Sequence, residues 1–222
     1  MKNSLFTILL NPSIFFSDAV AEKEQITLPA LIVLTGGIVA AGYGYLVGGL
    51  SARMMSRAMP GIDTIIILSS VIGAFLGPFI LWLIWAGVFY LLSMAFKGQG
   101  TFRRTLEFVG YGYLPQIAGT LITLIAAFEY IPKVTVPQIT SAVLQDPAAL
   151  QETMKVFLHD PAMMELTQIT TLISIVFLLW SANIWIFGIQ HSRKLSPRDA
   201  ALCVAIPVIT FIFYQIYNLG VM

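Results

Sequence analysis

The chain has 222 residues, of which 58% are hydrophobic and only 10% charged, with a formal net charge of +1. A soluble domain carries roughly 25% charged residues, so this composition excludes an ordinary water-soluble protein, and near-neutrality gives no electrostatic basis for nucleic-acid binding. A single cysteine, Cys203, excludes an internal disulfide, and with two histidines it cannot supply a Cys/His zinc cluster; no metal and no cofactor is expected.

Taken in chain order, residues 4–24 read SLFTILLNPSIFFSDAVAEKE. The segment is apolar enough to enter a headgroup layer, broken at Pro12 and too short to cross, which predicts an interfacial helix or hairpin within residues 1–27. The apolar stretch Leu5 to Leu10 runs into Asn11-Pro12 without a small-residue cleavage site, so it reads as mature sequence rather than a signal peptide. Five long apolar segments follow, at 28–52, 63–96, 104–130, 162–190 and 199–219. Each is long enough, at 1.5 Å per residue, to cross a hydrocarbon core of about 30 Å. The predicted fold is therefore all-α: a polytopic helical membrane protein of about five transmembrane helices with an N-terminal interfacial segment. It forms one domain over 1–222, with the bundle at 28–219 and an extramembrane loop at 131–161.

The second segment holds Gly77-Pro78 and is long enough for two short helices. Nothing polar lies between Ile72 and Leu83, and a turn in lipid would strand backbone groups at several kcal/mol each. It counts once, with Pro78 as a kink in a continuous helix. In the loop, Asp146-Pro147 and Asp160-Pro161 pair a capping side chain with proline at the first helical position. This predicts a short helix at 147–158, with Leu150, Met154, Phe157 and Leu158 on its apolar face, and then the fourth span. Five spans put Lys2, Lys23, Lys97, Arg103, Arg104, Arg193, Lys194 and Arg198 on one side, against Arg53, Arg57, Lys133 and Lys155 on the other. The excess of positive charge places the N-terminus in the cytoplasm and the C-terminus outside.

Small residues recur every fourth position in the first span, at Gly36, Ala40, Gly44, Gly48 and Ala52, and more briefly at Ser69, Gly73 and Gly77. In lipid such stripes let helix backbones approach, and packing within one subunit is the first reading, a homo-oligomer contact the second. The pentapeptide GYGYL occurs at Gly42–Leu46 and again at Gly110–Leu114. A parallel repeat and plain coincidence both fit, since Gly and Tyr are common in membrane helices.

Glu107 lies three and four residues beyond Arg104 and Arg103, a spacing that allows both to pair with it. The cluster reads as an interfacial anchor or a lipid-headgroup or partner contact. Pro115, followed by Gln116, falls inside the predicted third span and must free the carbonyl of Tyr111; a kink there serves packing or lines a polar path. Asn183, Gln215 and Asn218 read as interhelical hydrogen-bond groups. No Gly-x-Ser-x-Gly, His-Glu-x-x-His or phosphate-cradling loop is present, and no carboxylate pair lies in a span. An enzyme is not expected.

NPSIFF at 11–16, GPFILWLIWAGVFYLLSMAFKGQG at 77–100 and TFRRTLEFVGYGYLPQIAG at 101–119 together resemble the Yip domain family over about residues 10–217. The resemblance implies a five-span membrane protein with a cytoplasmic N-terminus, homo- or hetero-oligomers, and roles in membrane organisation and trafficking beside Ypt/Rab GTPases. The family's Gly-Tyr motif falls on Gly110-Tyr111, and its Asp-Leu-x-Gly-Pro motif on Gly77-Pro78, with Ala74 and Phe75 where the motif has Asp and Leu. Those departures argue against a Rab-type GTPase as partner and toward the short prokaryotic members. The expectation is a noncatalytic membrane protein contacting lipids, copies of itself or other membrane proteins through the Arg103, Arg104 and Glu107 region. A small transporter or channel with a path past Tyr111, Pro115 and Gln116 is the alternative.

Overall fold

A computed structural model describes residues 5–221, and among these every regular element is helical. In order they are α1 (Leu5–Leu10), α2 (Pro12–Ala19), α3 (Thr27–Met55), α4 (Asp63–Ala95), α5 (Phe102–Tyr111), α6 (Leu114–Tyr130), a 3-10 turn (Ile131–Lys133), α7 (Ser141–Gln145), α8 (Pro147–Leu158), α9 (Pro161–Arg193) and α10 (Pro197–Val221). Five of these stretches are long and apolar enough to cross a membrane: Thr27–Met55, Asp63–Ala95, Leu114–Lys133, Pro161–Arg193 and Pro197–Gly220. The protein is an integral membrane protein. The second apolar segment is one helix, α4, running uninterrupted through Pro78, as the cost of a lipid-exposed turn requires.

One predicted span is corrected. Residues 104–130 do not form a single helix, because the chain breaks at Gly112-Tyr113 between α5 and α6. Pro115 is the second residue of a new helix rather than a kink inside an old one. Proline is tolerated in a first turn because its missing amide would have no partner there anyway.

The chain divides into two compact units. The first comprises the residues up to Gly36, Gly77–Gly119 and Ser174–Tyr214. Its core gathers Phe16, Phe89, Phe108, Ile184, Trp185 and Val204, all buried. The N-terminal segment breaks at Asn11 as Pro12 predicts, and α1 and α2 insert Ile8, Phe15 and Phe16 into this core. Phe16 lies 4.8 Å from the Phe108 ring and Phe15 5.1 Å from Tyr111. Complete burial of such a side chain contributes about 1.5–3 kcal/mol, so the segment is a packed part of the unit, while Phe6, Leu10 and Ile14 stay exposed.

The second unit comprises Gly37–Leu76, Thr120–Ile173 and the residues from Gln215 on. Here α3 meets α4 through the small-residue stripe. A Cβ at Gly44 would stand 2.6 Å from the Ala74 Cβ and 2.7 Å from the Ser70 carbonyl oxygen, and one at Gly48 2.9 Å from the Ser70 Cβ. The predicted loop helix is α8, capped by Asp146, whose Oδ1 accepts from the amides of Ala148 (2.9 Å) and Ala149 (3.3 Å). Asp160 caps α9 in the same way, accepting from Ala162 and Met163, and its other oxygen accepts from the Thr135 amide at 3.1 Å. Phe157 is buried with Leu50, Met54, Ala127 and Leu166, with Leu150 and Leu158 packed alongside; Met154 alone of the predicted apolar face points out. Backbone bonding from Ile139 to the Met54 carbonyl at 2.9 Å ties the loop to the end of α3.

Candidate functional site

A polar cluster of the first unit surrounds the start of α5. Thr101 caps the helix by accepting from the Arg104 amide at 3.1 Å, and its hydroxyl donates to Glu24. Arg104 pairs with Glu107 at 3.0 Å and donates onward to the carbonyls of Ala19 (3.4 Å) and Glu22. Glu107 also accepts from the Gln25 backbone. These bonds staple the connection between α2 and α3 to α5. The spacing-based expectation that both arginines reach Glu107 holds for Arg104 only. Arg103 turns to Glu24 at 3.8 Å, with 65% of its side chain exposed.

Burial also revises the expected contact surface. Arg104 is 9% exposed and Glu107 3%, so neither is presented to a partner, and Arg103 remains as the outward charge. A buried ion pair stands only if its leftover hydrogen-bonding groups are satisfied, which the Ala19, Glu22 and Gln25 backbone does here. Burial pushes the Glu107 carboxyl up to about 7, outweighing the opposing pull of Arg104. A carboxylate with that environment changes charge near neutrality.

A second charged cluster was not legible in the sequence. Arg193, at the end of α9 and 2% exposed, donates to the Ser93 hydroxyl at 2.7 Å, to the Gly98 carbonyl at 2.9 Å and to the Gly100 carbonyl. Its guanidinium lies 4.2 Å from the centre of the Tyr90 ring. The charge rule counts Arg193 as a solvent-facing cation, whereas it holds the α4–α5 turn. That turn depends on Gly100, whose φ of +109° suits glycine and whose Cβ would press to 2.4 Å from the Ser192 carbonyl oxygen.

The family profile of the Yip1 domain matches residues 6–217. The chain belongs to the Yip1 family. A relative in Methanocaldococcus jannaschii, an uncharacterized protein, is 35% identical over 125 residues, covering 56% of this chain and 89% of the relative. No solved structure matches.

In this Yip1 chain the Gly-Tyr pair packs α5 against α2, α3 and α4. A Cβ at Gly110 would meet Pro29 at 2.6 Å and Trp82 at 3.0 Å, and the Tyr111 ring stands edge-on to Phe15. Gly77 has open space where its Cβ would be, and so has Gly73. Gly36 makes an ordinary 3.6 Å approach to Ile117, and Ala40 is half-buried. Pro115 is buried, and the Gln116 amide donates to the Ser181 hydroxyl at 3.1 Å. Asn183 lies exposed, and the Gln215 amide nitrogen is buried without a partner among the described residues, so the expected interhelical bonding is not seen at either. The two GYGYL copies differ in backbone: the first is wholly within α3, and the second spans the end of α5, the break and the start of α6. They share sequence without sharing structure, which favours coincidence.

Proposed function

We propose that this Yip1 protein is a noncatalytic membrane organiser that works through lipid contacts and through helix contacts with a second copy or another membrane protein. The reading puts it in the cell membrane of a prokaryote, with the N-terminus in the cytoplasm and the C-terminus outside, as the distribution of Lys and Arg favours. One observation carries it: Ser69 and Gly73 lie exposed on α4, flanked by exposed Ile65, Leu68, Ile72 and Leu76. The Gly44–Gly48 stripe is consumed by packing inside the chain, whereas this one is open. A notch of small residues between large aliphatic ones is where a further helix gains close contact in lipid. Arg103 supplies an outward positive charge, and anionic headgroups favour such a residue by about 1 kcal/mol. Ala74 and Phe75, in place of the family's Asp and Leu, support a partner other than a Rab-type GTPase.

Cysteine crosslinking in native membranes tests this. Ser69→Cys carrying a short maleimide–diazirine crosslinker, whose photoactivated end inserts into any neighbouring side chain, is expected to give an adduct of a second copy or another membrane protein, lost on adding Gly73→Leu. An adduct yield no higher than that of Leu91→Cys, on an exposed aliphatic stretch of the same helix, would refute it.

A transport path is the second reading, favoured by the break at Gly112-Tyr113 beside the Gln116–Ser181 pair. Interrupted helices in transporters expose backbone groups to a polar path. Solute flux in proteoliposomes that falls in Gln116→Ala would establish this reading over the first.

A further inference from the structure

The first unit contains a groove between α4 and α10. Its walls are Leu81, Ile84, Trp85 and Val88 on one helix and Pro207, Thr210, Phe211 and Tyr214 on the other, around about 560 Å³. Both sets follow the helical repeat of three and four residues, so each is one continuous stripe about 10 Å long at 1.5 Å per residue. A smaller cavity of about 160 Å³ adjoins the groove, sharing Leu81, Trp85 and Phe211 with it, and is lined also by Tyr113, Gln116, Ser174 and Trp185. The outer space is apolar but for the Thr210 and Tyr214 hydroxyls, the inner one has polar groups, and no charged side chain lines either.

From this arrangement we infer that the groove and cavity bind an uncharged amphiphile, an acyl or isoprenoid chain ending in a hydroxyl or carbonyl oxygen. The chain lies between α4 and α10, and the oxygen enters beside Gln116, Ser174 and Tyr113. The combined space falls within the range of about 300–1,000 Å³ usual for small-molecule sites, apolar with a few placed polar groups. A charged headgroup finds no counter-ion here and would lose its hydration, a cost of several kcal/mol. Leu81, Ile84 and Phe211 are exposed at the groove, so a chain enters sideways from the bilayer. At the inner end Tyr113 is 7% exposed, and its hydroxyl has no partner among the described residues. An unmade buried hydrogen bond is costly, and a ligand oxygen at this wall supplies the missing partner. This inference does not depend on the helix-contact reading, since that concerns the outward face of α4 around Gly73.

The test uses the full chain in phosphatidylcholine vesicles and the quenching of tryptophan fluorescence, since Trp85 and Trp185 line the site. The probe is a long-chain fatty alcohol brominated along its chain; phosphatidylcholine brominated at the same position reports ordinary lipid contact. The alcohol is expected to quench saturably, at a lower mole fraction than the phospholipid. Tyr113→Phe, which keeps the ring and removes only the hydroxyl, should weaken that binding by about tenfold, the worth of one hydrogen bond. Thr210→Phe, which fills the groove without adding a tryptophan, should abolish saturation. Tyr113→Phe should leave the thermal stability of the ligand-free protein unlowered, because its hydroxyl has no bond to lose. Equal, non-saturating quenching by both probes, or alcohol binding unchanged in Tyr113→Phe and Thr210→Phe, would overturn the inference.

Discussion

Replacing Gly44 by alanine separates the two small-residue stripes, which look alike in sequence. The new methyl would lie 2.6 Å from the Ala74 Cβ and 2.7 Å from the Ser70 carbonyl oxygen, about 1 Å inside the favourable carbon separation of roughly 3.5–4.0 Å. Neither neighbour is the free end of a flexible side chain, so α4 itself must move. Overpacking of this kind costs about 1–3 kcal/mol, against a gain of about 1 kcal/mol for alanine over glycine inside a helix. At Gly73 nothing stands within 4 Å of the added Cβ, so only the gain applies. Thermal unfolding of detergent-purified protein, followed by loss of the monodisperse species, reads the difference as a rate-dependent midpoint. Gly44→Ala should melt several degrees below the parent, and Gly73→Ala at or above it, taking about 2–4 °C per kcal/mol for a chain of this size. Equal midpoints for the two variants would refute the assignment of the first stripe to internal packing.

The polar clusters and the topology carry three further expected outcomes. Arg193→Lys keeps the charge but cannot reproduce a planar fork that reaches Ser93, Gly98 and Gly100 at once; it should lower the thermal midpoint, and Arg193→Ala should lower it further, since each buried acceptor left without its donor costs about 1–3 kcal/mol. The Glu107 carboxyl rises from an ordinary 4.5 to about 7 in the folded chain, so the folded state holds its proton longer than the unfolded state does. Its stabilising contribution is complete below about pH 4.5 and is lost as pH rises through 7; Glu107→Gln should therefore flatten the fall in melting temperature between pH 5 and pH 8. Membrane-impermeant maleimide should label Gln99→Cys and Gln151→Cys from opposite sides of the membrane, with Cys203 silent because it is buried. Labelling of both from one side would contradict five spans. Gln99 is chosen over its neighbour Gly100, where any side chain meets the Ser192 carbonyl.

The parts of this fold that the sequence made legible are those fixed locally or by the solvent. Hydrocarbon thickness sets a minimum length that α3, α4, α9 and α10 all exceed, and Asp146-Pro147 and Asp160-Pro161 start α8 and α9 with groups only two or three residues away. Arg104–Glu107 was legible as a spacing, but its burial was not, because the carbonyls of Ala19 and Glu22 that complete it belong to residues far away along the chain. Arg193 was hidden for a related reason. Two of its hydrogen-bond partners are backbone carbonyls, which leave no complementary charge elsewhere in the sequence.

The break in the predicted third span shows what a one-dimensional reading lacks. Pro115 has no amide to offer the Tyr111 carbonyl, yet proline alone does not decide the outcome, since α4 runs through Pro78 and α10 through Pro207. At 112–113 a distant side chain takes part. The Trp185 indole donates to the Val109 carbonyl at 2.8 Å, the acceptor that the Tyr113 amide would use in a continuous helix, and Tyr113 bonds instead to the Gly110 carbonyl at 3.1 Å. Gly112 makes room, because a Cβ there would fall 2.1 Å from the same indole nitrogen. Proline removes one bond, tryptophan satisfies another, and glycine admits the ring. The first GYGYL copy is succeeded by Val47-Gly48 rather than proline, and it remains helical. The conformation of the pentapeptide is therefore set by its C-terminal neighbour and by the ring packed against it.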